Sequence, residues 1–243
     1  SAALFGFIFG LSAARIKGFY LALTTIAAQF IFHFLILSLP TSWLGGSNGI
    51  IVSAPDFFGY RLSTDIHMYY LCLAVLALMT WGAYGIARSR QGRAFVAVRD
   101  DDVASGIMGI NVPRTKALSF LVGAFYAGVG GALWAYYVRY VAVDQFTLIH
   151  SVWFIAMIIV GGMGSITGAL IGVVVIVFVQ EGISTLGPFV AETMPFLGGQ
   201  ISFAAMNIFL GGIIAAFLIF EPRGLMHRWN IMKRSYRLWP FPY

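Results

Sequence analysis

Apolar runs long enough to cross a lipid bilayer alternate with short polar stretches along this chain. A membrane-spanning helix needs roughly 17–25 predominantly apolar residues. Four runs approach this requirement: residues 18–39, 68–87, 117–138 and 201–220. A further stretch, 145–180, has no Asp, Glu, Lys or Arg and is too long for one helix. The cluster from Gly161 to Ser165 is expected to divide it into segments 148–160 and 166–179, the first short enough to be re-entrant.

The pattern predicts an all-α, polytopic transmembrane helix bundle of about six to seven membrane segments. The chain begins with Ser1, and its first apolar run ends at Arg15. That run is too short to span a bilayer, so we expect an N-terminal truncation, with the start of this helix missing. We expect residues 1–243 to form a single transmembrane domain.

Composition supports lipid as the solvent. The chain is 60% hydrophobic and only 10% charged, whereas a soluble domain is about one quarter charged. A net charge of +6 could suggest nucleic acid, but the basic residues cluster at the edges of apolar runs and form no single basic face. We therefore expect membrane lipid as a partner and no nucleic acid. The one cysteine, Cys72, can form neither an internal disulfide nor a metal site alone.

The distribution of Lys and Arg predicts the orientation. Segment 88–116 holds six of these residues and the tail 221–243 holds five, whereas segments 41–67 and 139–147 hold one each. Positive residues favour the cytoplasmic side. If the break at 161–165 is a cytoplasmic turn, the number of spans between successive polar segments agrees with the side of the membrane that their charges predict for each. Arg15 and Lys17 are then cytoplasmic as well, and segments 41–67, 139–147 and 185–200 are external.

Segment 88–116 is the main charged interruption. It contains nine of the 24 charged residues and can form a short helix over 92–108, with Val96, Val103 and Ile107 on one apolar stripe. Gly109 is expected to end this helix in a left-handed conformation, and Pro113 suits the first turn of the next. The segment is either a solvated linker or a cytoplasmic coupling helix that fits a cleft on another protein. A lipid-surface helix would favour Lys and Arg without three consecutive Asp residues.

Two glycine clusters are candidate elements of a solute pathway. The first, Gly45, Gly46, Ser47, Asn48 and Gly49, also matches G-x-S-x-G, but an external glycine loop is a poor nucleophile elbow. It suits a turn or the binding of a carboxylate or zwitterion. The second is Gly161, Gly162, Gly164 and Ser165, because non-helical backbone at membrane depth persists only where protein or a water-filled cavity covers it.

Small residues four positions apart predict close helix contacts. The pairs are Gly6 with Gly10, Ala127 with Gly131, and the series Gly164, Gly168 and Gly172.

The chain offers little chemistry for an energy source or an enzyme. It contains no G-x-x-x-x-G-K-[ST] and no H-E-x-x-H motif. His33 lies within a predicted span and Glu181 lies near a span end, and no span centre holds Asp or Glu. An ion-coupled secondary transporter usually needs such a carboxylate or a proton relay. This scarcity favours a non-enzymatic transport protein driven from outside the chain.

Several segments resemble the LivM-type permeases of ABC importers for branched-chain and other hydrophobic amino acids. The longest begins at Gly92 with GRAFVAVRDDDVASGIMGINVPRTK and continues to Tyr136. The remaining segments are 15–25, 44–49, 161–168 and 221–225.

The resemblance implies a permease subunit in the bacterial inner (plasma) membrane. A homologous LivH-type permease, two ABC ATPase subunits and a periplasmic solute-binding protein would be its partners. ATP and Mg would bind to the ATPases, with no cofactor in this chain. Segment 88–116 would be the cytoplasmic coupling loop and 221–243 a cytoplasmic basic tail. The coupling residues would be Gly92, Arg93, Arg99, Asp100, Asp101 and Gly109. The alternatives are a urea or short-amide ABC permease and an ion-coupled secondary transporter.

Overall fold

A computed structural model describes residues 2–13, 16, 18–40, 45–53, 56–57, 60–61, 64–193, 211–212, 215, 219 and 224–238. Arg15, Lys17 and most of the predicted span 201–220 lie outside the described residues, as do segment 194–200 and both ends of the tail 221–243.

The helices are α1 (Ala2–Ala13), α2 (Phe19–Ser38), α3 (Asp65–Arg88), α4 (Arg90–Asp100), α5 (Asp102–Ile107), α6 (Val112–Val138), α7 (Leu148–Gly161), α8 (Ile166–Thr193) and α9 (Leu225–Leu238). The short strands are β1 (Ile50–Ile51), β2 (Asp56–Phe57), β3 (Tyr60–Arg61) and β4 (Tyr140–Val141). Two 3₁₀ turns cover Gly46–Asn48 and Val143–Gln145.

Among the described residues, four helical stretches are long and apolar enough to cross a membrane. These are Tyr20–Ser38, Asp65–Arg88, Val112–Val138 and Val143–Gly161. The apolar stretches Ala2–Leu11 and Ile166–Gly182 are shorter. Helices satisfy their own backbone groups, which lipid cannot do. The prediction of an all-α, polytopic membrane protein is confirmed.

The chain divides into two compact units, Ser1–Leu148 and Ile149–Tyr243. We call them the N-terminal and C-terminal units. That residues 1–243 act as one transmembrane domain stays a prediction.

Helices α1 and α6 pack tightly and antiparallel in the N-terminal unit. A Cβ atom on Gly10 would lie 2.7 Å from the Cβ atom of Phe120, and one on Gly6 would collide with Ala124. The predicted Gly6–Gly10 contact face is therefore confirmed. Gly131, of the small-residue pair predicted on α6, takes no part in this contact, because a Cβ atom added there would meet no described atom within 4 Å. Helix α6 instead uses Ala124 and Gly128, because their side of the helix faces α1.

In the N-terminal unit, loops that the charge pattern assigns to opposite sides of the membrane lie at opposite ends. β1 pairs antiparallel with β4, with Ile50 opposite Val141, so the loop after α2 and the connector after α6 lie at one end. At the other end, Ile16 and Gly18 line a cavity with residues 98–102. The predicted topology, with 41–67 and 139–147 on one side and 15–17 and 88–116 on the other, agrees with this arrangement for the described residues.

The C-terminal unit is built on a helical hairpin of α7 and α8. Its fully buried side chains include Val160 and Ile176. A Cβ atom on Gly172 would collide with the carbonyl oxygen of Met157 and would lie 2.8 Å from the amide nitrogen of Gly161. The predicted glycine contact face therefore brings the two helical backbones together at Gly172. Helix α7 alone has 14 residues and is about 21 Å long, shorter than a hydrocarbon core of about 30 Å. The stretch Val143–Gly161 reaches 19 residues only by including the 3₁₀ turn before α7.

Candidate functional site

We call residues 88–116 the coupling loop after their predicted role. The loop begins with a sharp joint between α3 and α4. The Ser89 hydroxyl donates to the carbonyl oxygen of Ile86 at 2.7 Å and accepts from the amide of Gly92 at 3.2 Å. A Cβ atom on Gly92 would collide with the Ile86 carbonyl oxygen and would lie 2.6 Å from that of Ala87. Arg93 donates through Nη1 to the carbonyl oxygen of Arg88 at 3.1 Å. Gly92 and Arg93, both predicted coupling residues, therefore hold α4 against the end of α3.

The loop forms two helices, so the single helix predicted over 92–108 is wrong. Helix α4 ends at Asp100 and α5 begins at Asp102. Asp101 lies between them with an extended backbone, and its Oδ1 accepts from the amides of Val103 at 2.8 Å and Ala104 at 3.0 Å. Asp is a strong N-cap residue because its carboxylate satisfies amides that have no partner within the helix. Asp101 starts a new helix where the pattern predicted continuation.

The break also removes the single apolar stripe. Val96 lies on α4, whereas Val103 and Ile107 lie on α5. Val98 is the buried apolar residue of α4, and Ser105 is buried on α5. Val103, Ile107 and the adjacent Met108 are 62%, 83% and 84% exposed. We call these three residues the α5 apolar face.

The three consecutive aspartates make three different contacts. Asp100 pairs with its neighbour Arg99 through Oδ1 at 2.8 Å, and both side chains are more than 60% exposed. Asp101 caps α5. Asp102 accepts from Nζ of Lys116 at 3.1 Å, and these side chains are only 23% and 22% exposed. The pair joins the start of α5 to the first turns of the span α6.

The end of the coupling loop follows local capping chemistry. Gly109 has φ +85°, its amide donates to the carbonyl oxygen of Gly106, and the amide of Ile110 donates to that of Ser105. This is the Schellman pattern, and it confirms the predicted left-handed Gly109. Asn111 then caps α6 by accepting from the amide of Arg114 at 3.1 Å. Pro113 lies in the first turn of α6, as predicted.

Sequence reasoning missed the contributions of Ser89, Asn111, Asp102 and Lys116. For Ser89 and Asn111, the N-cap preference of the residue is a signal that could have been used. Ser89, Asp101 and Asn111 are all preferred N-cap residues, and each directly precedes a helix. Together they divide the segment into its observed helices. No comparable local signal links Asp102 to Lys116, which are fourteen residues apart.

The glycine cluster at 45–49 forms a tight turn. Gly45 and Gly49 have φ values of +70° and +68°, and Gly46–Asn48 is a 3₁₀ turn. The Tyr140 hydroxyl donates to the carbonyl oxygen of Asn48 at 3.1 Å. The turn leads into β1, whereas a nucleophile elbow leads into a helix. The geometry favours the turn over the elbow, and a role for Gly45, Gly46, Ser47, Asn48 and Gly49 in solute binding stays a prediction.

A polar contact lies at the middle of α2. Gln29 is the eleventh of the twenty residues of this helix, and its Nε2 donates to the carbonyl oxygen of Phe146 at 3.3 Å. The ring of Phe146 packs edge-to-face on Trp134 at 5.5 Å. The non-helical backbone around Phe146 therefore lies beside the centre of a span. Gln29 also lines a groove of about 520 Å³ between α1, α2 and α6, together with Thr25.

The second glycine cluster forms the turn between α7 and α8. Gly162 and Gly164 have φ values of +117° and +86°, which residues with a Cβ atom rarely adopt. Ser165 caps α8 by accepting from the amide of Gly168 at 3.1 Å. The backbone of Gly224, just before α9, packs directly on Gly162. A role for Gly161, Gly162, Gly164 and Ser165 in a solute pathway stays a prediction.

The apolar spans and the capped, charged helix pair that joins two of them define a class of protein, a multi-pass helical membrane protein. A family model, "Branched-chain amino acid transport system / permease component", matches residues 1–210. The chain belongs to this family.

Curated relatives include two proteins named high-affinity branched-chain amino acid transport system permease protein LivM. The LivM proteins of Salmonella typhimurium and Escherichia coli are each 27% identical to this chain, over 91% and 93% of its length. These matches cover 54% and 55% of the LivM proteins, so the chain spans about half the length of these relatives. The LivH protein of Salmonella typhimurium is 34% identical over 50% of this chain and 39% of its own length. No solved structure matches.

Proposed function

We propose that this chain is the membrane-spanning permease subunit of an ATP-driven ABC importer that carries branched-chain or other hydrophobic amino acids across the bacterial inner membrane. Family membership and the names of the LivM relatives support the transport class. Residues 1–243 act in one permease domain of this importer. The chain itself holds no cofactor and catalyses no reaction.

The proposed partners are a LivH-type permease, two ABC ATPase subunits and a periplasmic solute-binding protein. The match to LivH proteins supports the paired permease, because it indicates that the two permease types share a fold. The ATPases bind ATP and Mg on the cytoplasmic side.

The observation that carries the proposal is the construction of the coupling loop. Its short helices are held to α3 by the Ser89–Gly92 joint and to α6 by the Asp102–Lys116 pair. Motion applied to α5 therefore reaches two spans. The α5 apolar face stays exposed, as expected of a surface completed by a partner protein.

Two variants test the docking of the ATPases. Ile107→Ser with Met108→Ser removes most of the α5 apolar face and should reduce co-purification of the ATPases at least tenfold. Ile66→Ser is the matched control, because Ile66 is 63% exposed on α3 near the end opposite the coupling loop. Normal ATPase recovery with the double variant would contradict the proposed docking surface.

Transport itself is tested with proteoliposomes that contain this protein, the paired permease, the ATPases and the binding protein. ATP-dependent uptake of labelled leucine should vanish when this chain or the ATPases are omitted. Uptake by this chain alone, sensitive to a protonophore and indifferent to ATP, would instead establish an ion-coupled secondary transporter. Competition by urea but not by leucine would establish the urea or short-amide alternative.

A further inference from the structure

Helix α9 differs in charge from the coupling loop. Over Leu225–Leu238 it carries Arg228, Lys233, Arg234 and Arg237 and no Asp or Glu. The coupling loop, in contrast, places three aspartates among its basic residues. A helix whose charged residues are all basic is suited to an anionic surface.

Four apolar residues of α9 form one narrow stripe, whereas Met226, Ile231 and Leu238 lie off it. Leu225, Trp229, Met232 and Tyr236 follow i, i+4, i+7 and i+11 spacing, which places them within about 60° of one another around the helix. Trp229, Met232 and Tyr236 are 57%, 57% and 83% exposed. We call these four residues the α9 stripe.

The stripe points away from the contact that α9 makes in its own unit. His227 and Asn230 line a cavity beside Gly162 and Ser165, at the turn between α7 and α8. Around the helix, these two residues lie about 130–170° from the centre of the stripe, and Met226, which also lines the cavity, lies about 90° from it. Among the described residues, Trp229, Met232 and Tyr236 of the stripe therefore remain exposed while α9 is held at its first turns.

Basic residues lie on both sides of the stripe. Arg228 and Lys233 are each about 70° from its centre, one on either side. Long basic side chains can lay their methylenes along an apolar surface and extend their charges to the headgroup level. Trp and Tyr are enriched at that same level.

We propose that α9 lies on the anionic lipid surface of the cytoplasmic leaflet, with the α9 stripe inserted between headgroups and Arg228 and Lys233 bound to lipid phosphates. The charge of the helix, the aromatic residues of the stripe and the predicted cytoplasmic position of 221–243 all favour this occupant over a protein groove. Bound in this way, α9 anchors the turn at Gly162 to the membrane surface. The proposal does not depend on the solute or on ATP.

Hydrogen exchange of the whole chain in lipid nanodiscs tests the proposal without a transport assay. Amides of 229–236 should exchange roughly tenfold more slowly in discs containing phosphatidylglycerol than in discs of phosphatidylcholine alone, and high salt should remove the difference. Met232→Ser should abolish this protection, whereas the neighbouring Ile231→Ser, off the stripe and 47% exposed, should retain it. Exchange in segment 166–180 reports whether each variant keeps its fold.

Two results would overturn the proposal. The first is equal exchange of 229–236 in both kinds of disc. The second is protection that appears only when the ATPases or the paired permease are added, because the α9 stripe would then be a protein contact.

Discussion

Lys116 Nζ donates to Asp102 Oδ2 at 3.1 Å, and this contact links the first turns of α6 to the start of α5. Both side chains are mostly shielded, so the pair is screened less than a surface ion pair. Asp102→Asn and Lys116→Met should each uncouple ATP hydrolysis from uptake in the proposed importer while leaving membrane insertion intact. The exchanged double variant, Asp102→Lys with Lys116→Asp, should recover part of the coupling. Full coupling in both single variants would show that the pair transmits nothing.

The joint between α3 and α4 should not accept a side chain at position 92. Gly92→Ala forces a Cβ atom against the carbonyl oxygens of Ile86 and Ala87, and we expect a loss of about 1–3 kcal/mol in stability or a failure to assemble. Thermal unfolding in detergent measures the loss of stability. Gly85→Ala, on the same α3 helix with nothing within 4 Å of the added atom, is the control and should have little effect.

The aspartates should differ in their effects on stability. Asp101→Ala removes the N-cap of α5 and should cost about 1 kcal/mol, whereas Asp101→Ser keeps a capping oxygen and should cost less. Asp100→Ala removes an exposed pair with Arg99 and should change stability by less than about 0.5 kcal/mol. Chemical denaturation measures the free energy of unfolding of each variant and so ranks the three substitutions. If Asp100→Ala nevertheless lowers coupled ATPase activity, the charge at position 100 contacts a partner.

The α7–α8 hairpin should require glycine at position 172, where the backbones of the two helices meet. Gly172→Ala places a methyl group against the backbone of Met157 and Gly161, so the helices must separate. We expect a lower thermal transition and poor assembly. Gly182→Ala, further along α8 in open space, is the matched control. Equal thermal transition temperatures for the two variants would mean that the hairpin stays stable when α7 and α8 move apart.

The Gln29 contact should hold the connector 142–147 beside the centre of α2. Gln29→Leu keeps the side-chain volume but removes the donor to the Phe146 carbonyl oxygen, at a cost of about 0.6–2 kcal/mol in lipid. A cysteine placed at Ala142 in a Cys72→Ser background should then react faster with a thiol reagent. Thr25→Val is the control, because the Thr25 hydroxyl donates within its own helix to Ala22. An unchanged rate would indicate that the Trp134–Phe146 ring contact is sufficient.

Much of this architecture could be predicted from the order of the residues alone. Lipid admits few charges and no unsatisfied backbone, so apolar runs identified spans within 18–39, 68–87 and 117–138. The left-handed turn at Gly109 and the position of Pro113 at the start of α6 also followed, since each depends on one residue and its immediate neighbours. The same local chemistry could have revealed the break at Asp101, had N-cap residues been weighed against apolar spacing.

Tertiary structure alone decided which side chains meet. Asp102 and not Asp100 pairs with Lys116, because the break at Asp101 turns α5 back toward α6. Gly128 and not Gly131 faces α1, because helix rotation is set by packing between helices and spacing does not encode it. The approach of Phe146 to Gln29 joins residues 117 positions apart. Local sequence determines where helices begin and end, whereas contacts between distant residues depend on how those helices pack.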